Sequence, residues 1–294
     1  MHKKLDLPPT HAAFPFVHPE AFQLAQKFTS SEHRKEHKLD PEDLVFKIVA
    51  IEGTVLYIVA FPTKKMPGAI GIWQHPGIGI SSRLGEYLLP HVDSLTELPF
   101  HGDTSLEKLP APTYLPESAA HQKIRERIIG LLQRAPLTPD RFKSTPDDVF
   151  LYPTGMAAIH RIHQAIMQVR TGPVVALGSI FHNTWHLFEE APAGFKHFGR
   201  CDAKSGVLDE FESYLQAEAK EGRKVAYVFV EFPSNPILVS VDLRRLRQLV
   251  RISHWHGLSL SAELVESHVA KISDSGLPTG RQVRFLHGGR RHHR

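Results

Sequence analysis

The sequence is poor in cysteine, in long apolar runs and in any strong excess of charge. Its one cysteine, Cys201, excludes an internal disulfide framework and suits a reducing compartment. No apolar run approaches the roughly 20 residues that cross a bilayer, so no membrane partner is expected. The opening residues, Met1-His-Lys-Lys-Leu-Asp, lead into no apolar core of a secretory signal. Together these point to a cytoplasmic protein. The formal net charge is only +4 and sits largely at one end, where Arg281, Arg284, Arg290, Arg291 and Arg294 occur with no acid among them. Such a tail either binds nucleic acid or is simply solvated. No aromatic interleaving or binding motif accompanies it, so no nucleic-acid partner is expected.

What is present suits a globular chain. With 294 residues, 41% apolar and 22% charged, there is material for one large domain or two ordinary ones. Residues 1–116 read as an α+β region ending in a linker. Within it, Val45 to Ile51 and Thr54 to Phe61 flank the turn candidate Glu52-Gly53, which predicts a β-hairpin. Trp73 to Arg83, containing Gly77 and Gly79, reads as a Gly-rich loop before a helix. It lacks the dinucleotide spacing and the P-loop lysine, so it is only a weak anion-site signal. Pro110 to Pro116 reads as the linker.

Residues 117–249 alternate helix and strand. Helical periodicity runs over Glu117–Gln133, then again over 155–169 and Leu208–Ala219, and a basic amphipathic helix starts at Val241. Short, almost continuously apolar strands lie at 149–152, 173–178 and 224–231. That pattern predicts a mainly parallel α/β sheet with ligands gathered at the carboxyl ends of its strands. From Val250 onward the pattern stops, and no apolar strand follows the helix. His254, His256 and His268 match no standard metal spacing, so no metal site is expected.

Three segments carry candidate chemistry. Tyr152-Pro-Thr154-Gly155-Met156 passes from strand through a tight turn into a helix, where unpaired amides and the helix dipole favour an anion. It is either a phosphate cradle or an ordinary capped turn. Phe181 lies just past the strand 173–177, placed either to stack on a flat ligand or to cap the core. Glu231-Phe-Pro-Ser-Asn235-Pro directly follows the next strand. Its prolines stiffen the turn, and Asn235 is a neutral donor for the crevice or part of a plain structural turn. Cradle, ring and amide in combination suggest a planar phosphorylated cofactor.

The stretches Tyr152 to Ile159 and Glu231 to Leu238 resemble the cysteine/methionine-metabolism family of pyridoxal-phosphate enzymes, in particular its fungal-type cystathionine gamma-synthase subgroup. Trp73 to Arg83 and Ile124 to Leu132 resemble segments of the same subgroup, so the resemblance runs from about residue 45 to Leu249. It implies an aspartate-aminotransferase-type (fold type I) large domain and a homo-oligomeric enzyme. The implied reaction joins cysteine to an activated homoserine ester by gamma-replacement. The resemblance assigns the amides of Gly155 and Met156, after Thr154, to the phosphate of pyridoxal phosphate, Phe181 to its ring and Asn235 to its ring oxygen. Phe181 stands where the family usually has a tyrosine, so the hydroxyl is lost. The family's Tyr-x-Arg phosphate pair has no match, since Tyr114 lies in the right region without its arginine.

The family next has an aspartate for the pyridine nitrogen, then the lysine of the Schiff base. Neither is found in its family context. Lys271, the only lysine after Leu249, sits in Val-Ala-Lys-Ile-Ser-Asp, and no catalytic residue is assigned. The tail from Arg281, back-translated and read one nucleotide later, yields Asp-Lys-Tyr-Gly-Ser-Ser-Met-Val-Val-Asp-Asp-Thr-Ile-Gly, which resembles the family at this point. The expectation is that residues 250–279 translate a retained intron and that the rest is out of frame. The chain would then be a truncated, inactive form of the enzyme, with 250–294 a non-family tail. A non-catalytic regulatory or interaction protein, or a related lyase or sulfhydrylase, are the alternatives.

Overall fold

The computed structural model describes residues 4–31, 38–114, 116–134, 144–200, 206–234, 236–255, 265–267 and 282–284. The chain divides into two compact units, Met1–Pro116 and Glu117–Arg294.

In the first unit β1 (His11–Phe16), α1 (Glu20–Thr29), β2 (Val45–Ile51), β3 (Thr54–Pro62), α2 (Met66–Gln74), α3 (Ser82–Leu88) and β4 (Thr96–Leu98) follow in order. The strands form an antiparallel sheet ordered β1-β3-β2-β4. The expected hairpin is β2–β3, and its two turn residues both have positive φ, +46° at Glu52 and +71° at Gly53. Such a turn twists with the strands it joins. Strand β3 alternates between two apolar clusters. Tyr57, Val59 and Phe61 pack with Phe16, Phe22 and Phe28, while Leu56, Ile58 and Ala60 pack with Leu5, Val49 and Leu88. Both faces being covered explains why the strand reads as continuously apolar. Trp73 and Gln74 belong to the end of α2 rather than to the loop. A Cβ at Gly79 would stand 1.9 Å from the Trp73 Nε1 atom, so this glycine serves the close approach of the indole.

The second unit holds α4 (Ala119–Leu132), β5 (Val149–Leu151), α5 (Gly155–Val169), β6 (Val174–Leu177), α6 (His182–Glu189), β7 (Phe195–Phe198), α7 (Val207–Lys220), β8 (Tyr227–Glu231), α8 (Leu243–Trp255), β9 (Val265–Ser267) and β10 (Gln282–Arg284). Its main sheet, ordered β7-β6-β8-β9, is wholly parallel. Alternate residues of β6 and β8 face opposite layers. Val175, Leu177, Val228 and Val230 meet Phe211 and Leu215 of α7 and Leu246 and Leu249 of α8. Val174, Ala176, Tyr227 and Phe229 meet Ile162 and Ile166 of α5 and Phe188 of α6. This is the α/β architecture with a parallel sheet that the alternation of elements predicts.

Two expectations are corrected. Strand β5 is not in the parallel sheet; it pairs antiparallel with β10. Its Phe150 side is exposed, as suits a ribbon covered on one face. The stretch after Val250, in which no strand is legible, supplies both β9 and β10. Three residues are too few to show a period, and an open sheet edge accepts backbone with little regard to side chains.

Candidate active site

The helix α5 begins where its sequence predicts, and its first turn is set by Thr154. This residue is extended, with φ −144° and ψ 160°, and its Oγ1 accepts the N–H of Ala157 at 3.0 Å. Its carbonyl accepts the N–H of Ala158 at 3.2 Å. The cap thus occupies the third and fourth amides. The first two, of Gly155 and Met156, have no acceptor inside the helix, and they lie at the positive end of its dipole. Both residues are buried while Thr154 is exposed.

The same helix is locked onto the sheet by polar contacts within the apolar layer. The His163 Nδ1 and the Tyr227 hydroxyl, both buried, stand 2.8 Å apart and join α5 to β8. Burial pushes the Tyr227 phenol well above its ordinary value. The Thr184 hydroxyl on α6 donates to the Met156 Sδ at 3.8 Å. That contact ties the start of α5 to the neighbouring helix.

Phe181 caps α6. Its carbonyl accepts the N–H groups of Thr184 at 2.9 Å and Trp185 at 3.1 Å. Its own N–H donates to the Glu231 Oε1 at 2.9 Å. Glu231 ends β8 and is buried. The half-buried Phe181 and Tyr152 side chains pack against the cluster that contains Met156, so these segments meet in one layer. Beyond Glu231 the Phe232–Pro233 peptide is cis. Ser234 then closes a tight loop: its N–H donates to the Val239 carbonyl at 3.0 Å, and its carbonyl accepts the Leu238 N–H at 2.8 Å.

The sequence assigned no role to Glu231, although the signal was available: it is a single carboxylate ending an otherwise apolar strand. Asn235, Lys271, Cys201, His256 and His268 lie outside the described residues, and of His254 only the backbone is described, in α8.

A parallel α/β unit whose capped helix start and ring-bearing turn share one layer has the form of a ligand-binding domain, since such sheets gather ligands beyond their carboxyl edge. The relatives of the chain narrow that class. No family model matches the chain. An alanine racemase of Aspergillus violaceofuscus is 35% identical over an alignment of 206 positions that covers 66% of this chain and 34% of that protein. A cystathionine gamma-synthase-like enzyme of Amanita muscaria is 35% identical over an alignment of 243 positions that covers 67% of this chain and 38% of that enzyme. Among solved structures, a methionine gamma-lyase from Micromonospora echinospora matches with 18% identity and a TM-score of 0.36, covering 65% of this chain and 54% of that one. Over about two thirds of its length the chain is similar to cystathionine gamma-synthase-like enzymes of fungi. It spans well under half the length of those curated relatives.

Proposed function

We propose that this chain carries the phosphate-cradle part of a pyridoxal-phosphate-dependent transsulfuration enzyme. The cofactor, when bound, supplies a ring that draws electrons from a substrate carbon. The Gly155 and Met156 amides hold its phosphate, Thr154 keeps the helix start in place and Phe181 covers the ring, while the family resemblance assigns Asn235 to the ring oxygen. The described ones among these residues fit the group. Two amides without helical acceptors at a buried helix start suit a phosphate, and a half-buried ring on the neighbouring turn suits a flat heterocycle. The observation that carries the assignment is this meeting of the α5 start and Phe181 around one apolar cluster.

The reaction of the whole enzyme is gamma-replacement. The sulfur of cysteine bonds to the γ-carbon of an activated homoserine, and the ester group leaves with the bonding pair. This chain, by contrast, does not turn over, because the lysine that anchors the cofactor has no counterpart in family context. In the same frame, residues 250–279 are retained intron and the residues after them are out of frame; support comes from the family-like sequence recovered one nucleotide later.

The test is to titrate the purified chain with pyridoxal phosphate, then reduce with borohydride and map any adduct. Reversible binding that inorganic phosphate competes away is expected, with no cofactor left on Lys271. Cofactor trapped on Lys271 together with turnover would overturn the inactive assignment. Transcripts that never splice out the codons for residues 250–279 would overturn the intron.

A second reaction is favoured by one observation. The alanine racemase relative is as similar as the cystathionine gamma-synthase-like one, at 35% identity each. A full-length transcript product should therefore be assayed for racemisation as well as for cystathionine formation.

A further inference from the structure

We propose that His182 and His186 form a chelating site for a divalent late transition-metal ion, of the tetragonal Cu2+ or Ni2+ kind. Four residues apart on α6, the two side chains share one helix face. Their Nε2 atoms are hydrogen-bonded to each other at 3.0 Å, and the rings are nearly perpendicular, at 87°. Imidazoles bound about 2.1 Å from one metal ion and meeting at about 90° have nitrogens about 3.0 Å apart. A tetrahedral angle would spread them to about 3.4 Å. An ion of square-planar or octahedral preference could therefore replace the shared proton without moving either ring.

The second observation is Glu189. Its Oε2 lies 2.9 Å from the His186 Nδ1. A carboxylate accepting the Nδ1 proton leaves Nε2 as the lone-pair nitrogen and fixes the ring plane, which is how metal-binding histidines are held. His182 is exposed and His186 is half-buried, so an ion reaches the pair from solvent. Two protein ligands leave the remaining positions to water or to small donors. Among the described residues no group of three such side chains converges. This is a two-point clip along one turn of helix rather than a closed structural centre. Because the clip spans the first turns of α6, a bound ion would stiffen the helix that Phe181 caps.

Trp185 sits beside His186 in the sequence and reports the site, since Cu2+ quenches tryptophan fluorescence on contact. Titration of the full chain with Cu2+ alone should give a saturable quench that Trp185→Phe removes. His182→Ala and His186→Ala should each abolish that component. Glu189→Gln should raise its half-saturating concentration by about tenfold. Ni2+ should compete for the site more effectively than Zn2+. His182 is exposed, so its variant leaves the fold intact, which circular dichroism checks. Quench curves of the two histidine variants that superimpose on that of the parent chain would overturn the site. So would a saturable quench that survives Trp185→Phe. Neither result depends on whether the chain binds pyridoxal phosphate.

Discussion

The Glu231 carboxylate accepts the backbone N–H of Phe181 at 2.9 Å. The carboxyl end of β8 thereby holds the loop that leaves its neighbour β6. Removing a buried acceptor leaves its donor unsatisfied, which costs more than the net worth of the bond. Glu231→Ala should lower stability by about 1–3 kcal/mol, read from the midpoint of chemical denaturation. Glu231→Gln keeps an acceptor oxygen and should lose less. Equal midpoints for the alanine variant and the parent chain would refute the role.

Thr154→Ala removes the side-chain cap of α5 and should cost about 1 kcal/mol. Thr154→Ser restores the oxygen and should recover most of that loss. Under the proposed function, the alanine variant should also bind pyridoxal phosphate more weakly, because the first turn that presents the Gly155 and Met156 amides frays. Fluorescence titration with the cofactor measures this directly.

Tyr57 and Tyr227 are both fully buried phenols. Burial pushes Tyr57 up to about 12, with the nearby Tyr114 adding to it, and pushes Tyr227 well above its ordinary value. The unfolded chain releases these protons near pH 10, before the folded one does. Their contribution to stability is therefore whole below about pH 10 and is lost as the pH rises towards the folded values. Thermal midpoints should fall between about pH 10 and 12. Tyr57→Phe and Tyr227→Phe should each flatten that fall, and an unchanged slope in both would rule the phenols out as its cause.

Gly53 closes the β2–β3 hairpin with φ +71° and nothing within 4 Å of an added Cβ. Any cost of Gly53→Ala is thus one of backbone conformation alone. It should destabilise by about 1–2 kcal/mol. Denaturation of the variant at the parent midpoint would show that the turn relaxes to another type.

By itself the sequence determined whatever depends on near neighbours. The β2–β3 hairpin is written in residues 45–61, where Glu52-Gly53 separates two apolar runs. The continuously apolar strands β6 and β8 predicted a parallel sheet covered on both faces, and Thr154-Gly155 marked the start of α5. Only the tertiary structure decided the pairing. β1 is hard to recognise because Pro15 interrupts it, yet it forms as an edge strand, where a missing N–H is tolerated. β5 left the parallel sheet for β10, and β9 filled the open edge of β8. The bonds that shape the site, Glu231 to Phe181 and His163 to Tyr227, span 50 and 64 residues. The reason is physical: side-chain periodicity is local, whereas a backbone edge or a buried polar group takes its partner from whichever distant segment folding brings within reach.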